Sequence, residues 1–278
     1  MGRRSTASSR SAAAWLGLAV GCGLILAVSG CSSSSATSAA VLRTRSSSYT
    51  LMQMNLCLSG LGSCYASRVQ YPAGVLEATA RIREEHPDAV TVNEACSGDV
   101  ARIARRTGYH LRFSMVIYNR KPLPCIDPMG RGLFGDALLT KARVTSTATH
   151  AFEAQAGPER RVWLCADTRV RVEVCTAHLA SHEAVEVAAN GPQCIELGAL
   201  LARRAVRHTV IFGGDVNGLA SCAPPGFWTR TDRAARQDPG IQHVYGTEAL
   251  RSPTSRVLPA IHTDHDFLLV RAYLVKRR

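Results

Sequence analysis

The sequence lacks any Cys-x-x-Cys pair, although it contains ten cysteines in 278 residues. Structural zinc sites are commonly built on such pairs, so a zinc site is disfavoured. Acidic residues are also scarce, with 21 Asp and Glu against 33 Lys and Arg, and the net charge is +12. No internal repeat and no linker occurs after residue 49, which excludes repeat architectures. The length is sufficient for one full-sized globular domain, or at most two small ones.

The first thirty residues have the composition of a secretory signal. Three arginines in the first ten residues precede an apolar stretch from Ala12 to Val28. The sequence Leu-Ala-Val-Ser-Gly-Cys that ends at Cys31 resembles a bacterial lipobox, which implies lipidation of Cys31. An ordinary signal peptide cleaved nearby is the alternative. We therefore predict a signal peptide at residues 1–30, a flexible Ser-, Ala- and Thr-rich tether at 31–48, and an extracytoplasmic location, membrane-anchored or secreted.

The remaining cysteines also suggest export. Apart from Cys22 and Cys31 there are eight, and an even number in an exported domain predicts disulfide bonds. Eight cysteines allow about 105 pairings. We expect neighbours to pair, as Cys57–Cys64, Cys96–Cys125, Cys165–Cys175 and Cys194–Cys222.

The positive net charge indicates which classes of partner the protein could bind. Removal of the three signal-peptide arginines leaves 12 − 3 = +9, so the mature chain stays basic. Such a surface suits a polyanion such as nucleic acid, or an anionic membrane. A soluble basic protein with neither partner is equally consistent with charge alone.

Apolar and alternating segments predict a strand-rich layered α/β sandwich. Helices are expected at 75–83, 98–107 and 192–206, a long loop at 119–135 and an irregular segment at 221–240. Strands are expected at 49–55, 89–94, 109–113, 136–140, 161–166, 170–176, 209–212, 241–245 and 266–273.

Polar residues stand where several of these strands end. The segment Gly213–Gly218 follows an apolar run, and Asp215 and Asn217 are two residues apart, so an extended backbone directs both side chains the same way. The carboxylate can accept a proton and the amide can donate to an anion. The full set of such residues is Asn55, Glu94, His178, Asp215, Asn217, Asp264 and His265. Each alone has an ordinary interpretation as a turn, a cap, a solvated residue or a core histidine.

Together, and in this order, the motifs resemble the endonuclease/exonuclease/phosphatase superfamily over residues 49–275. That superfamily includes pancreatic-type deoxyribonuclease, abasic-site endonucleases, bacterial sphingomyelinases and inositol-polyphosphate phosphatases. The similar motifs are Met54-Asn55, Asn93-Glu94 for Gln-Glu, Gly135-Asp136-Ala137 for Gly-Asn-Ala, Thr176-Ala177-His178-Leu179 for Thr-x-His-Leu, Gly214-Asp215-Val216-Asn217 for Gly-Asp-Phe-Asn, and Thr263-Asp264-His265 for Ser-Asp-His.

The resemblance implies a four-layered α/β sandwich over residues 49–278, with two packed mixed β-sheets flanked by helices. It also implies phosphodiester hydrolysis, in which Glu94, Asp264 and Asn55 hold Mg²⁺ or Mn²⁺. Oxygen ligands of this kind suit a hard divalent cation.

The resemblance further assigns catalytic roles. Asp215 is expected to position or deprotonate water, and Asn217 and Asn55 to orient the phosphate. His178 and His265 are expected to act as acid, base or charge stabiliser, because histidine can serve in either protonation state near neutral pH.

Two residues depart from the superfamily pattern. Gln242 stands where the superfamily has an Asp, and we expect it to help orient the phosphate and to accept a hydrogen bond from His265. A neutral amide cannot stabilise the histidine cation as a carboxylate does, so weaker support, or compensation by Asp232 or Asp238, is expected. Asp136 replaces the usual Asn and adds negative charge near the site.

We therefore predict an exported, lipid-anchored, Mg²⁺-dependent phosphodiesterase, monomeric and without a protein partner, that acts on nucleic acid. A phospholipid or phosphoinositide phosphodiesterase or phosphatase is the alternative within enzymes, although the membrane-entering hairpin of sphingomyelinases is not evident. A lipoprotein that only binds phosphate-bearing ligands is the alternative from another class.

Overall fold

The computed structural model describes residues 47–62 and 64–275. The predicted signal peptide, the lipidation site Cys31 and the predicted tether up to residue 46 lie outside the described residues. The first strand already begins at Ser47, two residues before the predicted start of the domain. Within the described ranges, no helix combines the length and apolar character needed to cross a bilayer.

Fifteen strands and three α-helices make up the described fold, with a short π-helix at Tyr65–Val69. The helices are α1 (Ala73–Glu85), α2 (Ser97–Thr107) and α3 (Val187–Ala205). The strands are β1 (Ser47–Asn55), β2 (Ala89–Cys96), β3 (His110–Met115), β4 (Ile117–Tyr118), β5 (Lys121–Pro122), β6 (Phe134–Thr140), β7 (Val144–Ala151), β8 (Glu159–Arg160), β9 (Val162–Thr168), β10 (Val172–Ala177), β11 (Thr209–Asp215), β12 (Phe227–Thr231), β13 (Gln242–Thr247), β14 (Leu250–Leu258) and β15 (Phe267–Leu274).

Two six-stranded sheets dominate the fold. The first has the order β14-β15-β1-β2-β6-β3 and the second β12-β13-β11-β10-β9-β7. Each is mixed, because β1 and β2 are parallel in the first and β10 and β11 are parallel in the second, while the other pairs are antiparallel. The short strands β5, β4 and β8 form a separate three-stranded sheet in that order.

Three apolar clusters hold four layers together. The central cluster joins the two sheets, with Leu51 and Val270 from the first and Val174 and Ile211 from the second. A second cluster packs α1 and α2 on the first sheet, and a third packs α3 on the second sheet. Burial of each large aliphatic side chain contributes about 1.5–3 kcal/mol. The predicted four-layered sandwich is confirmed.

Local signals explain where the first two helices end. His86 follows α1 in a left-handed conformation with φ 47°, and the next residue is Pro87, which cannot continue the hydrogen-bond ladder. Gly108 follows α2 with φ 78°, a conformation that glycine adopts without steric cost.

Some predicted boundaries were wrong. Helix α3 begins at Val187, so Pro192 lies within its second turn and removes one backbone donor there. The supposedly irregular segment 221–240 contains β12, and the loop 119–135 contains β5. Strands β7 and β14 were missed because both are edge strands with mostly exposed residues and no clear apolar alternation.

The disulfide bonds in the structure join the four pairs that the sequence predicts, namely Cys57–Cys64, Cys96–Cys125, Cys165–Cys175 and Cys194–Cys222. Cys165 and Cys175 face each other across the antiparallel strands β9 and β10. Cys57 and Cys64 enclose the loop that follows β1.

Candidate active site

Strand ends from both sheets meet at one end of the sandwich. In the first sheet Asn55 is in register with Asn93, so Glu94 follows beside the end of β1. In the second sheet His178, just after β10, forms a parallel bridge with Asp215 at the end of β11. A cleft of about 470 Å³ lies here. Its lining includes Glu94, His178, Asp215, Asn217 and His265.

The glycine pair before Asp215 allows the close packing behind this cleft. A Cβ on Gly213 would collide with Thr91 of the facing sheet and would lie 2.7 Å from Leu51. A Cβ on Gly214 would collide with the carbonyl of Ala177 on β10. The glycines are therefore required by contacts on two sides of β11, and they hold the carboxylate of Asp215 close to the first sheet.

Glu94 is turned into the cleft by its backbone. Its φ is 53°, an uncommon conformation for a residue with a side chain, and the pairing of β2 with β6 is interrupted between Val92 and Ala95. Asn55 Nδ2 donates to Glu94 Oε1 over 2.8 Å. Burial raises the pKa of Glu94 to about 7, and the carboxylates of Asp264 and Asp215 add to the rise.

Asn55 bridges two carboxylates. Besides Glu94, its Nδ2 donates to Asp215 Oδ2 over 3.1 Å, and its oxygen accepts from the backbone N–H of Cys57 over 3.1 Å. The amide oxygen accepts one hydrogen bond and keeps a second lone pair. Asn55 thus orients the two carboxylates, and its role as a metal ligand, like the roles of Glu94 and Asp264, stays a prediction.

Asp215 is held by a set of donors. The backbone N–H of Asn217 donates to Oδ1 over 3.0 Å, and Gln242 Nε2 donates to Oδ2 over 2.8 Å. Its own backbone N–H donates to the side chain of Asn93 over 2.9 Å. The carboxylate is buried, and its position is fixed from both sheets.

His178 and Asn217 form a pair in the second sheet. Asn217 Nδ2 donates to His178 Nε2 over 3.0 Å and to the carbonyl of Leu179 over 2.9 Å. Burial, followed by the positive charges of Arg161 and His265, holds the pKa of His178 well below its usual value. His178 is therefore neutral at physiological pH, with its proton on Nδ1.

His265 has the opposite electrostatic environment. Burial alone would lower its pKa, but the carboxylates of Asp215, Asp264 and Glu94 outweigh burial and raise it. His265 Nε2 lies 3.8 Å from Asp215 Oδ2 and 3.8 Å from Asp264 Oδ1. The site thus contains one neutral and one cation-favouring histidine, the combination that acid–base chemistry uses.

The predicted hydrogen bond from His265 to Gln242 was wrong. Gln242 Oε1 accepts from Gln53 Nε2 over 2.8 Å, and its amide faces Asp215, so neither end reaches the histidine. His265 Nδ1 has no hydrogen-bond partner among the described residues. Other carboxylates do stabilise the His265 cation in place of the missing Asp. Those of Asp215, Asp264 and Glu94 make the largest contributions.

Asp232 and Asp238, the two acids expected to stabilise the His265 cation, have different roles in the structure. Asp238 is exposed and adds a smaller contribution to the raised pKa of His265. Asp232 instead accepts from the backbone N–H groups of Gly240 and Gln242 over 2.8 and 3.0 Å, so it orients the start of β13.

Asp136 lies behind the cleft rather than in it. Asn93 Nδ2 donates to Asp136 Oδ1 over 2.8 Å, and burial raises the pKa of Asp136 to about 7. The additional carboxyl is therefore about half protonated at neutral pH and largely protonated below it, so the expected extra negative charge is only partly present.

Two groups of site residues were not found from the sequence. Gln53 donates to both Gln242 and Asn93, and it joins the two sheets behind Asp215. Arg161 lies in the wall of the cleft, 2.9 Å from Glu159 and 2.9 Å from Glu186. Gln53 carries no local signal for its contacts, because its partners lie 40 and 189 positions away, and Glu186, one of the two partners of Arg161, lies 25 positions away.

The donor set fits a hard divalent cation. Glu94 and Asp215 line the cleft, and Asp264, 3.8 Å from His265 in the cleft wall, is close enough to Glu94 to raise the pKa of that carboxyl. Glu94 and Asp264 could hold Mg²⁺ or Mn²⁺ through carboxylate oxygens. The sulfur atoms beside Glu94 belong to the Cys57–Cys64 disulfide and are not thiolate ligands.

Several solved structures share this fold. The endonuclease/exonuclease/phosphatase from Beutenbergia cavernae DSM 12333 is 17% identical, with a TM-score of 0.60 over 82% of this chain and 72% of that chain. The human Nocturnin catalytic domain with bound sulfate is 14% identical, with a TM-score of 0.61 over 82% and 97%. D. rerio TDP2 complexed with a single-strand DNA product is 14% identical, with a TM-score of 0.55 over 81% and 99%.

Comparison with curated protein sequences finds no match. The profile of the Endonuclease/Exonuclease/phosphatase family matches residues 53–265, a range that begins at Gln53 and ends at the cleft histidine His265. The motifs, the four-layered fold and this match agree, and the chain belongs to the Endonuclease/Exonuclease/phosphatase family.

Proposed function

We propose that the chain is an exported, metal-dependent phosphodiesterase that cleaves nucleic acid. Members of the family hydrolyse phosphoester bonds and typically use divalent metal ions. The observation that carries the proposal is the meeting of Glu94 and Asp215 with one neutral and one cation-favouring histidine in a single cleft, with Asp264 3.8 Å from the second histidine.

Asp215 positions the attacking water and accepts its proton. The donors Asn217, Gln242 and Asn55 fix the orientation of the carboxylate before substrate arrives, so little reorganisation is needed during the reaction.

The two histidines contact the phosphate from the cleft wall. His265, in its cationic form, stabilises negative charge on the phosphate and supplies a proton to the departing oxygen. His178 is neutral and, with its proton on Nδ1, donates to a non-bridging oxygen, whereas Asn217, whose two amide hydrogens go to His178 and Leu179, positions the imidazole.

Glu94 and Asp264 hold the divalent cation in this proposal. When bound, the cation neutralises charge on the phosphate oxygens. Because burial raises the pKa of Glu94 to about 7, this carboxyl must lose a proton to bind the metal, and affinity rises with pH through that range.

Nucleic acid is favoured as substrate by the positive charge of the chain and by the DNA product in the D. rerio TDP2 structure. A phospholipid phosphodiesterase is the second candidate. It is favoured by Leu61 and Val185, two aliphatic side chains in the cleft lining that are 57% and 61% exposed.

The test is direct. Purified protein is incubated with single-stranded DNA, duplex DNA, RNA and sphingomyelin, each with Mg²⁺, with Mn²⁺ and with EDTA. Metal-dependent cleavage of a nucleic acid is expected, and Asp215→Asn is expected to abolish it. Turnover of sphingomyelin alone would replace the substrate assignment, and no turnover of any phosphodiester would leave a phosphate-binding protein.

A further inference from the structure

The chain enters the described fold at the end of the sandwich opposite the cleft. Strand β1 runs from Ser47 to Asn55 in the active site, and Ser47 pairs with Leu274 near the end of β15. Strand β11 likewise begins at Thr209 and ends at Asp215. At about 3.3 Å per residue, the two ends are roughly 20 to 26 Å apart.

A basic cavity of about 390 Å³ opens at this distal end. Its lining includes Arg169, Arg171 and Arg207, together with Thr209 and Leu274. All three arginines are exposed. None of their guanidinium groups has an ion pair or hydrogen bond within residues 47–62 and 64–275. Unpaired cations that surround one cavity form a surface for anions.

Nearby carboxylates have contacts other than these arginines. Asp167 accepts from the hydroxyl of Ser146 over 2.6 Å and lies 2.8 Å from His208, and Glu173 is paired with Arg204 over 2.6 Å. Glu248, in the turn between β13 and β14, is an exposed acid at the same end. Among the acids named, Asp167 and Glu248 have no Arg or Lys partner in the described part of the chain, so two carboxylates stand against three free guanidinium groups.

Exposed apolar side chains lie between the cations. Val170, between Arg169 and Arg171, is 48% exposed, and Val206, beside Arg207, is 76% exposed. Arginines interleaved with exposed aliphatic groups are typical of surfaces that rest on lipid headgroups, where the charges attract anions and the apolar groups enter the interface.

We propose that this surface, called here the basic end and formed by Arg169, Val170, Arg171, Val206 and Arg207, docks on an anionic phospholipid membrane. A membrane is inferred as the partner because the predicted lipid on Cys31 would hold the domain close to a membrane surface. Cys31 is 47 − 31 = 16 residues before Ser47, and an extended segment of that length reaches up to about 55 Å.

The sequence around both ends of the domain adds further positive charge. Lys276, Arg277 and Arg278 follow directly after Val275, which lines the basic cavity. Arg43 and Arg45 shortly precede β1. The segments that connect with this end of the fold thus carry the same sign of charge as the basic end.

Docking by the basic end gives the enzyme an orientation. The cleft lies at the far end of the strands, so it faces away from the membrane that holds the anchor. Substrates would then arrive from the surrounding medium. This inference uses the predicted anchor but does not depend on the proposed catalytic activity.

The test measures sedimentation of the chain from Ser32 onward, which contains every described residue but no lipid. Vesicles of phosphatidylcholine, with and without one third phosphatidylglycerol, are compared. The combined variant Arg169→Ser/Arg171→Ser/Arg207→Ser is matched with Arg68→Ser/Arg120→Ser/Arg233→Ser, which removes the same charge from exposed positions elsewhere. The lysine variant Arg169→Lys/Arg171→Lys/Arg207→Lys retains the charge.

The wild-type chain is expected to bind only the anionic vesicles. The basic-end serine variant should bind about 100-fold more weakly, whereas the matched control and the lysine variant should change by less than about 3-fold. Equal losses in the two serine variants, or no binding of the wild-type chain, would overturn the proposal. DNA binding of the same variants is measured separately. A serine variant of the basic end that loses affinity for DNA but keeps vesicle binding would assign the surface to nucleic acid instead.

Discussion

The side-chain amide of Gln242 donates to Oδ2 of Asp215 over 2.8 Å. The residue that departs from the family pattern thus contacts the proposed general base, Asp215, rather than the histidine. We expect Gln242→Asp to place a second carboxylate against Asp215, which raises its proton affinity and lowers kcat near neutral pH on the order of 10-fold or more. The acidic limb of the pH–rate profile should move to higher pH. Gln242→Asn, which keeps a neutral amide, is the control, and an unchanged profile in the aspartate variant would refute this role.

His265 should be required in its cationic form. We expect His265→Ala to reduce kcat by about 100- to 10,000-fold, the usual range for loss of an acid–base group. Because nearby carboxylates raise the pKa of His265, wild-type activity should fall as pH rises through that raised value. His262→Ala serves as the control, since His262 lies three residues earlier and does not line the cleft. Equal losses in both variants would point to a structural effect.

Glu94 should link metal binding to stability. Removal of its partly buried negative charge in Glu94→Gln should raise Tm in EDTA at pH 8, because the folded state no longer contains a partly desolvated carboxylate. The same change should eliminate the increase in Tm that Mg²⁺ produces in the wild-type protein. Glu183→Gln, an exposed cleft residue, should keep the Mg²⁺ response. Thermal unfolding with and without metal measures both effects.

Asp136 should make the folded state less stable at high pH. Its pKa is about 7 in the folded protein and near 3.9 when unfolded, so the folded state binds more protons between these values. Stability therefore falls as pH rises through this window, by about 1.4 kcal/mol for each unit of pKa difference. Asp136→Asn should raise the free energy of unfolding at pH 8 and have little effect near pH 4. A benefit that is independent of pH would contradict this account.

The Cys57–Cys64 disulfide should affect metal affinity. Its sulfur atoms lie within 4.8 Å of a carboxylate oxygen of Glu94, so the loop that it closes forms part of the wall beside this proposed metal ligand. We expect Cys57→Ser/Cys64→Ser to weaken Mg²⁺ binding, measured by calorimetry. Cys165→Ser/Cys175→Ser, which removes a disulfide between strands of the second sheet, should lower stability and leave Mg²⁺ affinity nearly unchanged.

The sequence was most informative where a buried strand ends in polar residues. The apolar run before Gly213 and the spacing of Asp215 and Asn217 predict both the strand and the direction of its side chains. Edge strands such as β7 were missed, because exposure on both faces removes the apolar alternation. Contacts of Gln53 and Gln242 could not be predicted either, since they join residues 189 positions apart.

The contact of Gly213 with the facing sheet has a consequence for how the catalytic parts are divided. The first sheet provides Glu94, the proposed metal ligand, and its partner Asn55, whereas the second provides Asp215, Asn217 and His178. Neither sheet carries all of these side chains. The distance between the two sheets therefore determines whether the side chains of one sheet lie close enough to those of the other. A side chain at Gly213 would disturb that distance from behind, without touching any reacting group.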